Sequence, residues 1–181
     1  DAEYQLLEKI RHIPKTKFLA GNADFALGIV TGNNKKYISS VKNKDNEVIL
    51  KGSDICKYHT NPNSNYIVFN PQNFQQVAPI EMYRAPEKLL YRFISSQLVF
   101  AYDDKQTLSL NSCNLVIPKL EGLHIKYILA ILNSRIAQFI YKMEFHSVKV
   151  LRSHIENIPI PDVNADTQNI IIQTVEPLIN G

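Results

Sequence analysis

Residues 123–143 (LHIKYILAILNSRIAQFIYKM) constrain the fold more than any other stretch of the sequence. Apolar residues recur there every three or four positions, which predicts one long helix with a broad apolar face. They are Ile125, Ile128, Leu129, Ile131, Leu132, Ile136, Phe139 and Ile140. Lys126 and the polar residues 133–135 interrupt the run, so it is too short and too polar to span a membrane. We therefore predict a core helix that packs on the rest of the chain.

Strand signals dominate the sequence before this helix. Residues 3–13 predict a first helix that Pro14 ends. Short β-rich runs separated by turn signals follow at 25–30, 37–41, 47–50, 66–69, 89–94, 97–102, 107–110 and 114–117. After the long helix, the prolines at 159 and 161 require an extended segment, and Asp166 is expected to cap a last helix from Thr167. The predicted fold class is α+β, with a strand-rich N-terminal two-thirds packed on a long amphipathic helix and a helical C-terminal third.

The length of 181 residues predicts a single domain. Residues 1–17 are expected to form a helix and connector that lead into it. The chain starts with Asp1 and opens directly into a helical pattern, so we expect a fragment of a longer protein. No leader with a basic and an apolar region is visible, and Cys56 and Cys113 show no paired spacing. Both observations favour a cytoplasmic protein with reduced thiols.

The charge distribution points to the N-terminal third. The net charge is only +3, but residues 1–60 contain ten Lys or Arg against seven Asp or Glu. Residues 121–181 contain five against six. A basic face that contacts a nucleic acid would therefore be built mainly from the first part of the chain.

One pattern suggests an enzyme. Asp103 and Lys105 form an Asp-x-Lys motif after an apolar strand, with Pro86-Glu87 upstream. A magnesium-dependent nuclease uses two carboxylates to hold the metal and a lysine near the attacking water. The alternative is a hairpin tip, where Asp and Lys are ordinary solvated turn residues.

Other catalytic motifs are missing. Asn61-Pro62 and Asn70-Pro71 lack the second proline and the aromatic residue of the Asn-Pro-Pro-aromatic motif of adenine methyltransferases. No glycine-rich loop for S-adenosylmethionine follows a strand, and the five histidines form no metal-ligand spacing. We predict no catalytic residue, no metal ligand and no cofactor in this chain.

Several turns combine asparagine with lysine. The turn at residues 33–36 reads Asn-Asn-Lys-Lys, Lys42 and Lys44 lie in the next turn, and Lys57 follows. Asparagine can pair bidentately with an adenine edge, and lysine neutralises phosphate. Turns of this composition are also ordinary solvated loops, so composition alone leaves both interpretations open.

The order of short sequence blocks resembles a known family. The blocks are GIVTGNN at 28–34, GSDICKY at 52–58, KLLYR at 88–92, AYD at 101–103, NLVI at 114–117, LNS at 132–134, IPIP at 158–161 and Gln168. In this order they resemble the TaqI-like C-terminal specificity domain, the target recognition region of N6-adenine DNA methyltransferases and of type II restriction–modification enzymes. The recognition domains of type I specificity subunits are similar.

The resemblance implies a domain that recognises double-stranded DNA but is not an enzyme on its own. A methyltransferase catalytic domain in the same longer chain would be its partner, and S-adenosylmethionine would bind only there. The implied DNA contacts are polar and basic loop residues, namely Thr31, Asn33, Asn34, Lys35, Lys36, Lys42, Lys44 and Lys57, with Arg84, Arg92, Lys149 and Arg152 as further candidates.

Two other hypotheses remain beside this one. The first is the nuclease that uses Asp103 and Lys105. The second is a protein-interaction domain whose partner packs on an exposed part of residues 123–143.

Overall fold

Seven helices and ten short strands make up the chain, and the computed structural model describes all of residues 1–181. The helices are α1 (Ala2–Arg11), α2 (Asn34–Tyr37), α3 (Ile80–Tyr83), α4 (Ile125–Leu132), α5 (Arg135–Glu144), α6 (Arg152–Glu156) and α7 (Ala165–Ile179). The strands are β1 (Thr16–Lys17), β2 (Ala23–Ala26), β3 (Ile38–Ser39), β4 (Glu47–Leu50), β5 (Tyr66–Ile67), β6 (Lys88–Arg92), β7 (Phe100–Asp103), β8 (Leu108–Ser109), β9 (Cys113–Pro118) and β10 (Ile160–Pro161). The predicted α+β class is confirmed.

A four-stranded antiparallel sheet in the order β2-β9-β6-β7 lies at the centre. Side chains of a strand alternate between its two faces, and this sheet is buried on both. Leu89 and Val116 point into one hydrophobic core, which the helices complete. Leu90 and Leu115 point into a second core on the other face. The central sheet is therefore shared by two cores.

The second core is closed by a smaller sheet in the order β3-β5-β4-β8. β5 pairs antiparallel with β3 on one side and with β4 on the other, whereas β4 and β8 run parallel. Because β5 separates β3 from β4, residues 40–46 must cross over its end. Since β3 and β4 both run antiparallel to β5, this crossover returns the chain to the end of the sheet at which β3 begins.

The helices α1 and α4 to α7 cover the opposite face of the central sheet. α4 packs on α7, and Gln168 of α7 is buried. The Gln168 side chain accepts a hydrogen bond from the His124 amide (2.8 Å) and donates to the carbonyls of Gly122 and Val163. The predicted extended segment at 158–161 is confirmed, since β10 pairs with β1 there. None of the helices combines the length and the apolar character that crossing a bilayer requires.

The prediction of one long helix over residues 123–143 is wrong, because two helices meet at Asn133 and Ser134. The Ser134 hydroxyl donates to the Ile131 carbonyl (2.6 Å) and accepts from the Ala137 amide (3.2 Å), so it ends α4 and caps α5. The change of direction leaves Ile136, which was predicted on the buried face, 52% exposed.

The break between the two helices serves the edge of the central sheet. Asn133 is buried, and its amide accepts from the Phe100 N–H and donates to the Phe100 carbonyl, both at 2.9 Å. Gln138 forms the same pair of hydrogen bonds with Leu98, at 2.8 and 2.9 Å. Leu98 precedes β7 and Phe100 begins it, so the two side-chain amides pair with the start of this sheet edge, and the backbone of Tyr58 pairs with Phe100 and Tyr102 further along it.

Three local predictions also need correction. Asn33 caps a helical turn at residues 34–37, so the predicted strand at 37–41 is reduced to β3, which pairs with β5 instead of with the strand before it. That earlier strand, β2, pairs with β9. α7 begins earlier than predicted, because the Asn164 side chain, and not Asp166, accepts from the Thr167 amide.

Replacing Asn133 with alanine should destabilise the domain by about 2 kcal/mol, because the buried Phe100 N–H loses its only partner. Urea denaturation would measure the change. Asn169→Ala is the matched control, since Asn169 is exposed on α7 and its side chain forms no hydrogen bond within the chain. An Asn133→Ala variant as stable as the control would contradict this account of the sheet edge.

Candidate nucleic-acid interface

The first candidate loop, residues 31–37, is held by its own side chains. The buried Thr31 hydroxyl accepts from the Asn33 amide (3.1 Å) and donates to the Asn34 side-chain oxygen. Asn33 in turn accepts from the Lys36 amide (3.2 Å). Gly32 has a φ of +82°, a conformation that glycine adopts without strain. These contacts fix the backbone and leave Asn34, Lys35 and Lys36 exposed.

Four aromatic residues, Tyr37, Phe74, Phe69 and Tyr83, form an aromatic row between this loop and the second core. The ring of Tyr37 meets Phe74 edge-on at 5.3 Å, Phe74 stacks on Phe69, and Phe69 meets Tyr83. Tyr83 is fully buried, and its hydroxyl accepts from the Ala78 amide and donates to the Leu27 carbonyl, both at 2.9 Å. The loop is therefore connected to the second core through packed rings.

The second candidate loop, residues 41–46, is the crossover after β3. The Asn43 side chain accepts from the amides of Asp45 (2.8 Å) and Asn46 (2.9 Å). The buried Asn46 accepts from the Asn43 amide and donates to the Val41 carbonyl (3.0 Å). This closed network leaves Lys42 and Lys44 on the outside of the turn.

The two loops lie on either side of the two-residue strand β3. Lys36 and Lys42 are six residues apart, so the chain keeps them within about 20 Å of each other. Lys35, Lys36, Lys42 and Lys44 are all exposed, and none forms a salt bridge with a carboxylate of the chain. The structure thus brings together seven of the predicted contact residues, from Thr31 to Lys44.

Two predicted arginines are committed to contacts inside the domain. Arg84 forms a two-pronged ion pair with Glu47 (2.8 and 2.9 Å) and donates to the Gln106 carbonyl. Arg92 donates to the Ile55 carbonyl (2.8 Å). Lys57, two residues after Ile55, is half-buried. The guanidinium groups of Arg84 and Arg92 are therefore less available to DNA than the four loop lysines.

The last two predicted residues belong to a different region. Lys149 is exposed where its segment pairs with Ile94, and Arg152 lies over the ring of Phe25 at 4.8 Å. Arg152 also pairs with Glu156 of the same helix (3.4 Å). Phe25 packs against the core that the helices complete, whereas the two loops rest on the other core. The structure does not join these two cations to the loop lysines.

The two residues of the Asp-x-Lys motif differ in burial, since Asp103 is buried and Lys105 is exposed. Asp103 is buried and pairs with the fully buried Lys88 at 2.7 Å, while its carboxylate also accepts from the amide (3.0 Å) and the hydroxyl (2.7 Å) of Thr107. Desolvation lowers the pKa of Lys88, although the Asp103 charge opposes that shift. Lys105 is exposed. The carboxylate that the nuclease hypothesis assigns to the metal is thus already occupied by protein donors.

The protein-interaction hypothesis finds little support on residues 123–143. Ile128, Leu129, Leu132 and Ile140 are fully buried in the core that the helices form with the central sheet. Ile136 is the one large apolar residue of the stretch that is mainly exposed. The apolar face that motivated this hypothesis is therefore covered by the domain itself.

One group of polar residues was not predicted. Residues 70–76 (NPQNFQQ) contain five Asn or Gln side chains. The backbone N–H of Gln75 donates to the Thr31 carbonyl (3.3 Å). Gln76 forms two backbone hydrogen bonds with Val30, at 2.9 and 3.0 Å. This amide-rich loop therefore lies against the first candidate loop. The density of Asn and Gln was the available signal, but Asn70-Pro71 was interpreted only as a turn.

Comparison with known proteins places the chain in a family. The model of the TaqI-like C-terminal specificity domain matches residues 47–160. A structure from a study of complex assembly and conformational transition of the type I R-M system aligns with a TM-score of 0.57 and 14% identity, and covers 98% of this chain and 43% of that chain. The HsdS subunit from Thermoanaerobacter tengcongensis aligns with a TM-score of 0.53 and 14% identity, and covers 98% and 42%. No curated protein matches.

The two kinds of match cover different parts of the chain. The family model includes most of the sequence blocks that suggested the resemblance but starts after both candidate loops, whereas the structural alignments extend over nearly the whole chain. This chain spans less than half the length of each aligned structure. The family model spans well over half of the chain, so the chain belongs to the TaqI-like C-terminal specificity domains, which confirms the predicted function in sequence-specific DNA recognition within restriction–modification systems.

Proposed function

We propose that the domain binds double-stranded DNA through the two loops that flank β3. The observation that carries this proposal is the set of four exposed lysines without a carboxylate partner, on two loops whose backbones are fixed by side-chain hydrogen bonds. Phosphate contacts supply most of the affinity of such interfaces and hold the protein in register. Loops that are already fixed by internal hydrogen bonds also lose less conformational entropy on binding than mobile loops do.

The domain acts within a larger enzyme in this proposal. A methyltransferase catalytic domain in the same longer chain would hold S-adenosylmethionine and modify adenine N6, while this domain selects the sequence and is not itself catalytic. The family, whose description is a C-terminal specificity domain, supports this division. Such an enzyme would work in the cytoplasm of a bacterium, on the DNA there.

Charge reversal of Lys35 and Lys36 together should weaken duplex binding. Each lysine that neutralises a phosphate contributes a slope of about 0.9 to the plot of log affinity against log salt, so the slope should become shallower by roughly 2. Fluorescence anisotropy of a labelled duplex at several salt concentrations would measure both quantities.

The double charge reversal at Lys9 and Lys142 is the matched control, because it changes the net charge equally on exposed residues of α1 and α5. Equal losses of affinity in the two double variants would show that only net charge matters. That result would contradict the assignment of the DNA surface to the loops beside β3.

Thr31→Val should weaken binding to the recognised sequence about fivefold, because loss of the hydroxyl removes its hydrogen bonds with the Asn33 amide and the Asn34 side chain, of which the one that positions Asn34 is worth ~1 kcal/mol. The salt slope should not change, since the buried Thr31 neutralises no phosphate. Anisotropy titrations with specific and random duplexes would measure the two effects.

Thr31→Ser keeps the hydroxyl and is the control for this substitution. It should bind like the original protein. An equal loss of affinity for random DNA in Thr31→Val would mean that Thr31 supports the fold in general rather than the recognition loop.

A further inference from the structure

The side chains of residues 70–76 differ from most other amides of this protein in their hydrogen bonding. Buried amides such as Asn133 and Gln168 bond to backbone groups and so hold segments together. Gln72, Asn73 and Gln75 are exposed, and their side chains form no hydrogen bond within the chain. Each therefore presents a free carboxamide, with one donor and one acceptor side, to the solvent.

The position of these amides is fixed by the backbone. Pro71–Asn73 forms a single 3₁₀ turn, and Phe74 is held in the aromatic row. The backbone N–H groups of Gln75 and Gln76 donate to the carbonyls of Thr31 and Val30. The Gln75 side chain lies next to Gly32, where a Cβ atom would come within 3.3 Å of its oxygen. The free amides thus stand on a rigid support beside Thr31 and Gly32, at the start of the loop that carries Asn34, Lys35 and Lys36.

The chemistry of this surface matches one kind of base pair. A carboxamide can donate to adenine N7 and accept from adenine N6 at the same time, whereas bidentate recognition of guanine needs two donors and is typical of arginine. The arginines beside the second core, Arg84 and Arg92, are bonded to Glu47 and to the Ile55 carbonyl. The remaining cations at the loops are lysines, whose flexible ammonium groups suit phosphate.

We infer that the amide-rich loop is a specificity determinant that recognises A·T base pairs from the major groove, with Gln75, which lies next to Gly32, as its central residue. This inference rests on the proposed function and goes beyond it, because it assigns new contact residues and the class of base that they recognise. Lysines on the adjoining loops supply the phosphate contacts, and the amides supply the discrimination.

Selection of duplexes from a library with randomised positions, using the full-length protein, tests the inference. The selected sequences should contain A·T pairs, and Gln75→Ala should reduce the preference at one of those positions about tenfold. Its affinity for random duplexes should not change. Gln173→Ala, which removes an exposed amide from α7, is the matched control and should select the original sequence.

Two further measurements identify the groove and the chemistry. Replacing the critical adenine with 7-deazaadenine removes only the major-groove acceptor, so it should weaken binding by the original protein and not by Gln75→Ala. Gln75→Glu keeps the size of the side chain but makes it an acceptor only, and should shift the preference at that position towards cytosine.

The outcomes separate the inference from the function on which it rests. A protein that selects no sequence at all would overturn both. A clear selected sequence that the Gln72, Asn73 and Gln75 alanine variants leave unchanged would overturn the inference and leave the DNA-binding function intact. Insensitivity to 7-deazaadenine at every selected adenine would overturn it as well.

Discussion

The edge of strand β7 is the point on which the arrangement of this domain depends. An unpaired edge exposes N–H and carbonyl groups that must find partners. The backbone of Tyr58 pairs with Phe100 and Tyr102, and Asn133 and Gln138 provide the partners of Phe100 and Leu98 from the helical layer. The two amides bond to alternate residues, Leu98 and Phe100, as a neighbouring strand would. A continuous helix could not present both side chains in this way, so the break at Ser134 and the closure of the sheet are one feature.

This closure has consequences on both faces of the central sheet. Because adjacent residues of β6 and β9 point into different cores, fixing the helices on one face also fixes the strands that carry the other core. From that second core, the buried Tyr83 leads through Phe69 and Phe74 to Tyr37 at the first candidate loop. This loop and the helices α4 and α5 therefore pack on different cores and yet rest on the same central sheet.

The sequence predicted elements whose signals are local. Periodicity identified the apolar segments, prolines identified the extended segment at 158–161, and the order of short blocks identified the family. Contacts between distant residues were not predictable in the same way. Asn133 looked like a polar residue within one helix, but it bonds to Phe100, 33 residues away, and the helix ends there. Similarly, Arg84 looked available until Glu47 was found beside it, and the charge on Lys88 lay hidden in an apolar run opposite Asp103.

The candidate interface shows the same limit. Thr31, Asn33 and Asn34 form a network within a few residues, so their sequence already suggested a structured turn. The role of Gln75 depends on its contact with Thr31, 44 positions earlier, and no local sequence pattern predicts that contact. The density of Asn and Gln in residues 70–76 is visible in the sequence, but only the fold shows that they adjoin the first candidate loop.

The two uses of amide side chains explain how such a domain can vary in specificity. Buried amides bond to backbone groups, whose geometry does not depend on the identity of the residue, so the fold that they hold tolerates wide changes of sequence elsewhere. The exposed amides at residues 72–75 bond to nothing within the chain, so their replacement leaves the framework intact. In the inference drawn above, a change at residues 72, 73 or 75 would therefore alter the bases that are recognised, while Asn133 and Gln138 would continue to close the sheet.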